Sequence, residues 1–249
     1  MPSMEGMNKL FTILVLLLLF CGGCKKENMG DCFKSTGKII ETKRNVDAFH
    51  AIEIYDHIDV YITYGTQAGI KVKAGENLLR HIETNVENGV LKISNENKCN
   101  WVRSFNKKIE VFISLTALND LKFYGSGEIR LMNQLATDQL LVNLFDASGN
   151  VYLNVNTSLL ELKSHTGTAS IYARGACEEI VLFMGANGVI DAKDVIAQKA
   201  LAVNENTGLL KVNARQRLTA EITGSGNIEY TGNPEIQIIQ IKSGRLIKK

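Results

Sequence analysis

The sequence predicts an all-β chain wound into a solenoid of coils about 20 residues long. Three observations carry that reading. A small polar residue followed by glycine recurs at Ser126-Gly127, Ser148-Gly149, Thr166-Gly167, Asn187-Gly188, Thr207-Gly208, Ser225-Gly226 and Ser243-Gly244, with successive glycines 22, 18, 21, 20, 18 and 18 residues apart. An eighth step, Asn88-Gly89, lies 38 residues upstream of Gly127, about two such periods. Two residues after each glycine stands an apolar residue (Leu91, Ile129, Val151, Ala169, Ile190, Leu210, Ile228, Leu246), and four residues after it stand Ile93, Leu131, Leu153, Ile171, Ala192, Val212 and Tyr230, with Lys248 alone out of pattern. The position between holds Arg130, Tyr152, Ser170, Asp191, Lys211 and Glu229.

Alternation with period two marks a half-buried strand and excludes a helix. Glycine is expected to supply the positive φ of a tight turn, and Ser, Thr or Asn before it suits the same turn. A second strand approaches each turn, as in Leu140 to Leu144, Leu160 to Leu162, Leu201 to Val203 and Leu218 to Ile222. The unit is strand, glycine turn, strand, return loop. It cannot bury its apolar face alone, so copies must stack. At ~4.8 Å per coil, six intervals build a stack roughly 30 Å long. An antiparallel β-sandwich is the alternative architecture, but it gives no reason to repeat one turn dipeptide in register.

The composition is that of a globular protein, with 45% hydrophobic and 22% charged residues, two prolines and a net charge of +2. So small a charge gives no argument for nucleic acid as a partner. Residues 116–249 hold the repetitive coils. Residues 35–115 are β-rich but less regular: Ile52, Ile54, Ile58, Val60 and Ile62 alternate around Tyr55-Asp56-His57, which reads as a degenerate glycine turn, and Glu76 to Ile82 suit one or two helical turns. This atypical stretch suits the cap that a solenoid needs over its open edge.

Residues 1–23 read as an address. Lys9 precedes eleven mostly apolar residues, Leu10 to Phe20, followed by Cys21-Gly22-Gly23-Cys24. Eleven residues are too few for a spanning helix but suit a signal-peptide core. Small residues just before a cysteine resemble the lipobox of bacterial lipoproteins, which implies cleavage before Cys24 and lipid attachment to it. Residues 24–34 then form a tether that opens on Cys24-Lys25-Lys26-Glu27. The polar run beside the cysteine resembles a Bacteroidota surface-export signal, and no Asp follows Cys24 to retain the protein at an inner membrane. The expected location is the outer membrane, on its periplasmic or its outer side. In such an oxidising compartment Cys32, Cys99 and Cys177 should pair with one left over. Cys32 with Cys99 is the expected disulfide, since both lie outside the repeats; the 68-residue loop it closes is worth about 2 to 4 kcal/mol. Cys177 is expected in a return loop as a partly buried thiol.

Longer motifs occur in order: Asp31-Cys32 with Thr36-Gly37, Ala74-Gly75-Glu76-Asn77-Leu78-Leu79, Asn97-Lys98-Cys99-Asn100-Trp101-Val102-Arg103, Gly125-Ser126-Gly127 and Gly232-Asn233-Pro234. Together they resemble the Bacteroidota family called putative auto-transporter adhesin, head GIN domain. The resemblance implies a single-stranded right-handed β-helix and a role in adhesion.

No catalytic residue is expected. A polysaccharide lyase of solenoid fold would need an acidic calcium site and a basic residue converging on one groove, whereas Asp191, Lys211 and Glu229 on consecutive rungs read as an exposed ion ladder. The four histidines are scattered, and His165 beside Thr166-Gly167 reads as a turn residue. No zinc spacing or phosphate loop survives, so neither metal nor cofactor is expected. The outward positions do place Arg130, Tyr152, Asn154, Tyr172 and Asn213 on one sheet face, the residue types a glycan- or peptide-binding surface uses. The expected protein is a lipid-anchored, non-catalytic envelope component that binds glycan or protein. A structural scaffold is the alternative, a carbohydrate-active enzyme the third reading, and self-association is open.

Overall fold

The computed structural model describes residues 36–97 and 108–249. Cys24, Cys32 and Cys99, and with them the lipid attachment, the tether and the expected disulfide, lie outside the described residues. Every strand belongs to one of two stacked faces joined at corners. The N-terminal strands are β1 (Ile39–Arg44), β2 (Ala51–Asp56), β3 (Asp59–Tyr64), β4 (Gly69–Gly75), β5 (Ile82–Glu87), β6 (Val90–Asn95) and β7 (Glu110–Leu115). The repetitive part follows as β8 (Asp120–Gly125), β9 (Glu128–Leu131), β10 (Leu135–Leu144), β11 (Asn150–Ser164), β12 (Ser170–Met184), β13 (Val189–Asn204), β14 (Leu209–Ile222), β15 (Ile228–Thr231), β16 (Glu235–Ile241) and β17 (Leu246–Lys248).

From β8 onward every ladder is parallel and successive coils lie in register, which is the expected solenoid and not a sandwich. Ile129, Val151, Ile171, Ile190, Leu210, Ile228 and Leu246 form one continuous inner column. These are the residues two places after the glycines, apart from Ile171, which takes this place because its coil carries Gly167 two positions further upstream. All but the terminal Leu246 are fully buried. One cluster of buried side chains runs from Ile52 to Ile228 without a break.

The return half of each coil is itself strand. β11 to β14 run 14 to 16 residues, and parallel pairing continues through Val155-Asn156-Thr157 onto Gly175-Ala176-Cys177. The expected return loop is therefore replaced by a bent strand. Cys177 lies within β12, buried, and burial with the nearby Glu178 carboxylate pushes its thiol up to about 12.

The corner glycines act differently from the expected positive-φ turn. Among the eight steps only Gly89 and Gly167 have positive φ. At the others the carbonyl of the coil below leaves no room: a Cβ on Gly149 would lie 1.8 Å from the Gly127 oxygen, and one on Gly127 would lie 1.9 Å from the Ile58 oxygen. Close approach of one backbone to the next is the reason for glycine there. Asn88-Gly89 is not a corner at all. Both residues have positive φ and join β5 to β6 as a two-residue antiparallel hairpin turn, the use for which Asn-Gly is the strongest short signal.

The N-terminal strands enter the stack out of chain order. β2 lies between β6 and β8, and β3 between β7 and β9, so the β6–β7 coil is outermost although β2–β3 precede it in sequence. Tyr55 and Asp56 sit in register with Tyr124 and Gly125, and Asp56 takes a φ of 63°, which makes Tyr55-Asp56-His57 a corner as its sequence suggests. The stack then ends by reversal of direction: β4 runs antiparallel to β7, β1 to β4, and β5 to β6. The expected helical turns shrink to a single 3-10 turn, Leu79–His81.

If contact with the lower coil selects glycine, Gly149→Ala should cost about 3 kcal/mol or more, because backbone cannot yield as a side-chain tip does. Gly65→Ala, where nothing lies within 4 Å of the added carbon, should change stability by less than about 0.5 kcal/mol. Urea unfolding of both variants measures the difference.

Candidate functional site

Parallel in-register stacking turns each outward position into a row of side chains about 5 Å apart. On the face that holds β9, the outward row reads Phe112, Tyr61, Arg130, Tyr152, Tyr172, Asp191, Lys211, Glu229. Several neighbours along it are in contact. The Phe112 and Tyr61 rings stack at 5.2 Å, with Lys71 5.7 Å above Phe112. The Arg130 guanidinium lies 4.0 Å from the Tyr152 ring centroid, and Tyr152 stacks on Tyr172 at 5.2 Å. Arg130 is held flat by Glu128, whose Oε1 accepts from its Nη2 at 2.8 Å and its Nε at 3.0 Å.

Beyond Tyr172 the row becomes ionic, as expected. Lys211 Nζ donates to Asp191 Oδ2 at 3.0 Å, and Lys249 pairs with Glu229 at 3.1 Å. The hydrogen bond that Lys211 donates to Asp191 raises the Lys211 pKa against the opposing effect of burial. Each carboxylate therefore has a cation beside it. Among the described residues no group of three or more His, Cys, Asp or Glu side chains is placed to hold a metal ion.

A cleft of about 430 Å³ opens along this row, lined by Arg130, Tyr152, Asn154, Tyr172, Arg174, Asp191, Lys193 and Asp194 over a floor of Leu131, Leu153 and Ala173. Four of the five sequence-selected binding residues thus meet in one place. Asn213 does not line it. The β12–β13 and β13–β14 ladders both slip here: Arg174 pairs with Asp194, and Asn213 pairs with Ile196. Lys193, Asp194 and Val195 are extra relative to β14, and of these Lys193 and Asp194 are exposed and line the cleft while Val195 turns into the core; Asn213 Nδ2 donates to the Lys193 carbonyl at 3.2 Å. Lys193 and Asp194 were not legible as site residues, since the bulge breaks the spacing that identified the others, and Arg174, in register with Asn154, was missed because it stands seven residues after its glycine instead of five.

A second row runs up the glycine corner. Tyr55, Tyr124, Phe145 and His165 stack at 4.8, 5.2 and 4.5 Å, and Phe183 meets His165 at 5.3 Å with tilted rings. The ladder stiffens the corner. Tyr55 donates to Glu53 at 3.0 Å; burial, and then this carboxylate, push its pKa up to about 12.

Residues 48–234 match the profile of the family described as putative auto-transporter adhesin, head GIN domain. The chain belongs to that family. The same fold occurs in solved structures of a putative adhesin from Bacteroides fragilis (TM-score 0.78, 25% identity, covering 85% of this chain and 96% of that one) and a putative adhesin from Parabacteroides merdae (TM-score 0.67, 22% identity, 86% and 98%). It also occurs in a putative lipid binding protein from Parabacteroides distasonis (TM-score 0.70, 21% identity, 86% and 98%). No curated protein matches the chain significantly. The head GIN resemblance read from the motifs is thus shown across three quarters of the sequence, and the site above lies wholly inside the matched segment.

His165 gives the corner ladder a pH signature. Its Nε2 donates to Asn143 Oδ1 at 3.0 Å, and burial, with the nearby Lys163 charge, holds its pKa below the ordinary value of 6.5. An unfolded chain then binds a proton that the folded chain refuses, so this residue costs stability progressively as pH falls through about 6.5. Thermal unfolding should show a falling midpoint between pH 7.5 and 5.5, and His165→Phe, which keeps the stack, should flatten that slope.

Proposed function

We propose that the protein is a non-catalytic, adhesin-like component of the cell envelope that binds a glycan or peptide in the cleft of Arg130, Tyr152, Asn154 and Tyr172. One observation carries the reading: the Arg130 guanidinium, Tyr152 and Tyr172 form an outward-facing stack beside an open cleft. The edges of two stacked rings give a sugar or a peptide a rigid apolar wall at little entropic cost, and Arg174, Asn154 and Asp194 supply donors and acceptors around it. Membership of the head GIN family supports an adhesive role. The lipobox-like run before Cys24 supports anchoring in the outer membrane, with the domain on its periplasmic or outer side.

Binding without catalysis is the reading that the charges favour. General acid work needs a carboxyl held above its ordinary pKa near the scissile bond. In the row beside the cleft each carboxylate instead carries a neighbouring cation, Asp191 with Lys211 and Glu229 with Lys249.

A glycan array probed with the soluble domain tests the site. Tyr152→Ala and Tyr172→Ala each remove one ring of a stacked pair and should weaken a retained glycan by about tenfold. Binding that survives unchanged in both variants would place the ligand elsewhere. Protease shaving of intact cells tests the location: loss of the protein is expected for outward display, and full protection would favour a periplasmic role.

A further inference from the structure

The last strand of one face, β16, has every residue exposed, and among the described residues it pairs with β14 alone. Its inward side chains continue buried columns. Ile236 follows Leu218, Ile238 follows Ala220 and Ile241 follows Ile222, yet they remain 36%, 54% and 38% exposed because no strand covers them. Ile239 is 57% exposed and sits at a register break, where Ala220 pairs with Ile238 but Glu221 pairs with Gln240.

The segment Glu235-Ile236-Gln237-Ile238-Ile239-Gln240-Ile241-Lys242 is a palindrome whose two ends differ only by opposite charge. Set against a reversed copy of itself, it opposes Ile236 to Ile241, Gln237 to Gln240, Ile238 to Ile239 and Glu235 to Lys242. In a regular strand these partners would point to opposite faces, because each opposed pair mixes an even with an odd position. The bulge at Ile239 corrects this. It takes Ile239 out of the ladder and puts Ile236, Ile238 and Ile241 on the inner side and Glu235, Gln237 and Gln240 on the outer side, so Ile236 opposes Ile241 and Gln237 opposes Gln240 with matched facing, and Ile238 falls opposite its own copy. The Glu235 carboxylate is also available: Arg217 stands 3.9 Å away and Glu235 is 77% exposed.

We propose that β16 pairs antiparallel with β16 of a second copy of this chain about a two-fold axis at Ile238, with the bulged Ile239 of each copy beside it. Such an interface is isologous and closes on itself. At the far end of the stack the outermost strands, β1 and β5, run antiparallel to their neighbours, so that edge is not a copy of the β16 edge. Pairing joins two sheets edge to edge, removes a hydrophobic edge from water and seats two Glu235 to Lys242 pairs.

Sedimentation of the chain from residue 25 onward, which contains every described residue, should show a reversible dimer. Ile239→Lys places two ammonium groups beside the axis and should yield monomer. Glu235→Lys and Lys242→Glu should each weaken the dimer by about tenfold, through two lost pairs and the repulsion that replaces them. The double variant Glu235→Lys, Lys242→Glu should recover the original affinity, which a merely misfolded edge would not. A chain that stays monomeric at millimolar concentration, a dimer indifferent to Ile239→Lys, or a charge swap that fails to restore association would each overturn the proposal. Glycan retention by Tyr152 and Tyr172 is read separately and does not depend on the outcome.

Discussion

Backbone of one coil rests directly on backbone of the next, and the corner glycines are where that contact leaves no space for a side chain. Gly149 lies on the carbonyl of Gly127, Gly226 on that of Gly208 and Gly244 on that of Gly226. This single restriction accounts for the period of the sequence, because a coil with a bulkier corner cannot descend to the ~4.8 Å spacing that its ladder hydrogen bonds require. Once the spacing is imposed, position along the coil becomes a row along the stack. Chemistry that is weak in one residue then accumulates: rings stack on rings at the corner, and Asp191 and Lys211 alternate on the open face.

The interior obeys the same geometry and shows how the coil changes section along its length. One inner column runs Leu121, Val142, Leu162, Leu182, Ala202, Ala220. Large side chains give way to alanine toward β14 in this column, while Leu218 and Ile222 on either side stay large. Asn204 stands in the column beside it. It is fully buried, and its Nδ2 donates to the carbonyls of Gly208 at 2.8 Å and Asn227 at 3.1 Å, which ties the corner loops of neighbouring coils together. A buried amide whose donors are satisfied in this way costs little and fixes register, which alanine packing alone would leave loose.

What could be read from the sequence was whatever the stacking repeats. The residues two and four places after each glycine disclosed strands, faces and the row of Arg130, Tyr152 and Tyr172, since period two is local. The role of glycine itself was not legible, because positive φ and close approach select the same residue and only the neighbouring coil distinguishes them. Asn88-Gly89 was misjudged as a corner for the same reason, although its dipeptide is a hairpin signal of its own. Chain order was hidden too. Tyr55 stacks on Tyr124 across 69 residues, and nothing local in either segment says that β2–β3 will be overlaid by a coil that comes later in the chain. At the cleft, three extra residues in β13 carry Asn213 out of the row and bring Lys193 and Asp194 in. A spacing argument loses its footing at an insertion, and insertions are where a repetitive surface acquires a local shape.

A parallel stack has two ends, and each must deal with unpaired strand edges. One end here does so within the chain, by reversing direction through β1, β4 and β5. The other carries isoleucines in every inward position of β16 and a bulge that makes the strand symmetrical about its own centre. A bulge usually twists an edge away from partners. At this position it does the opposite, because it restores common facing to residues that an unbroken strand would set on opposite sides. The cleft, by contrast, is bounded by β9, β11, β12 and β13 on the other face, with β14 between it and the open end. An edge that recruits a second copy and a face that receives a ligand therefore occupy different coils, so a dimer would present two clefts without covering either one. For two weak sites on one rigid body that arrangement raises avidity with no new contact to the ligand.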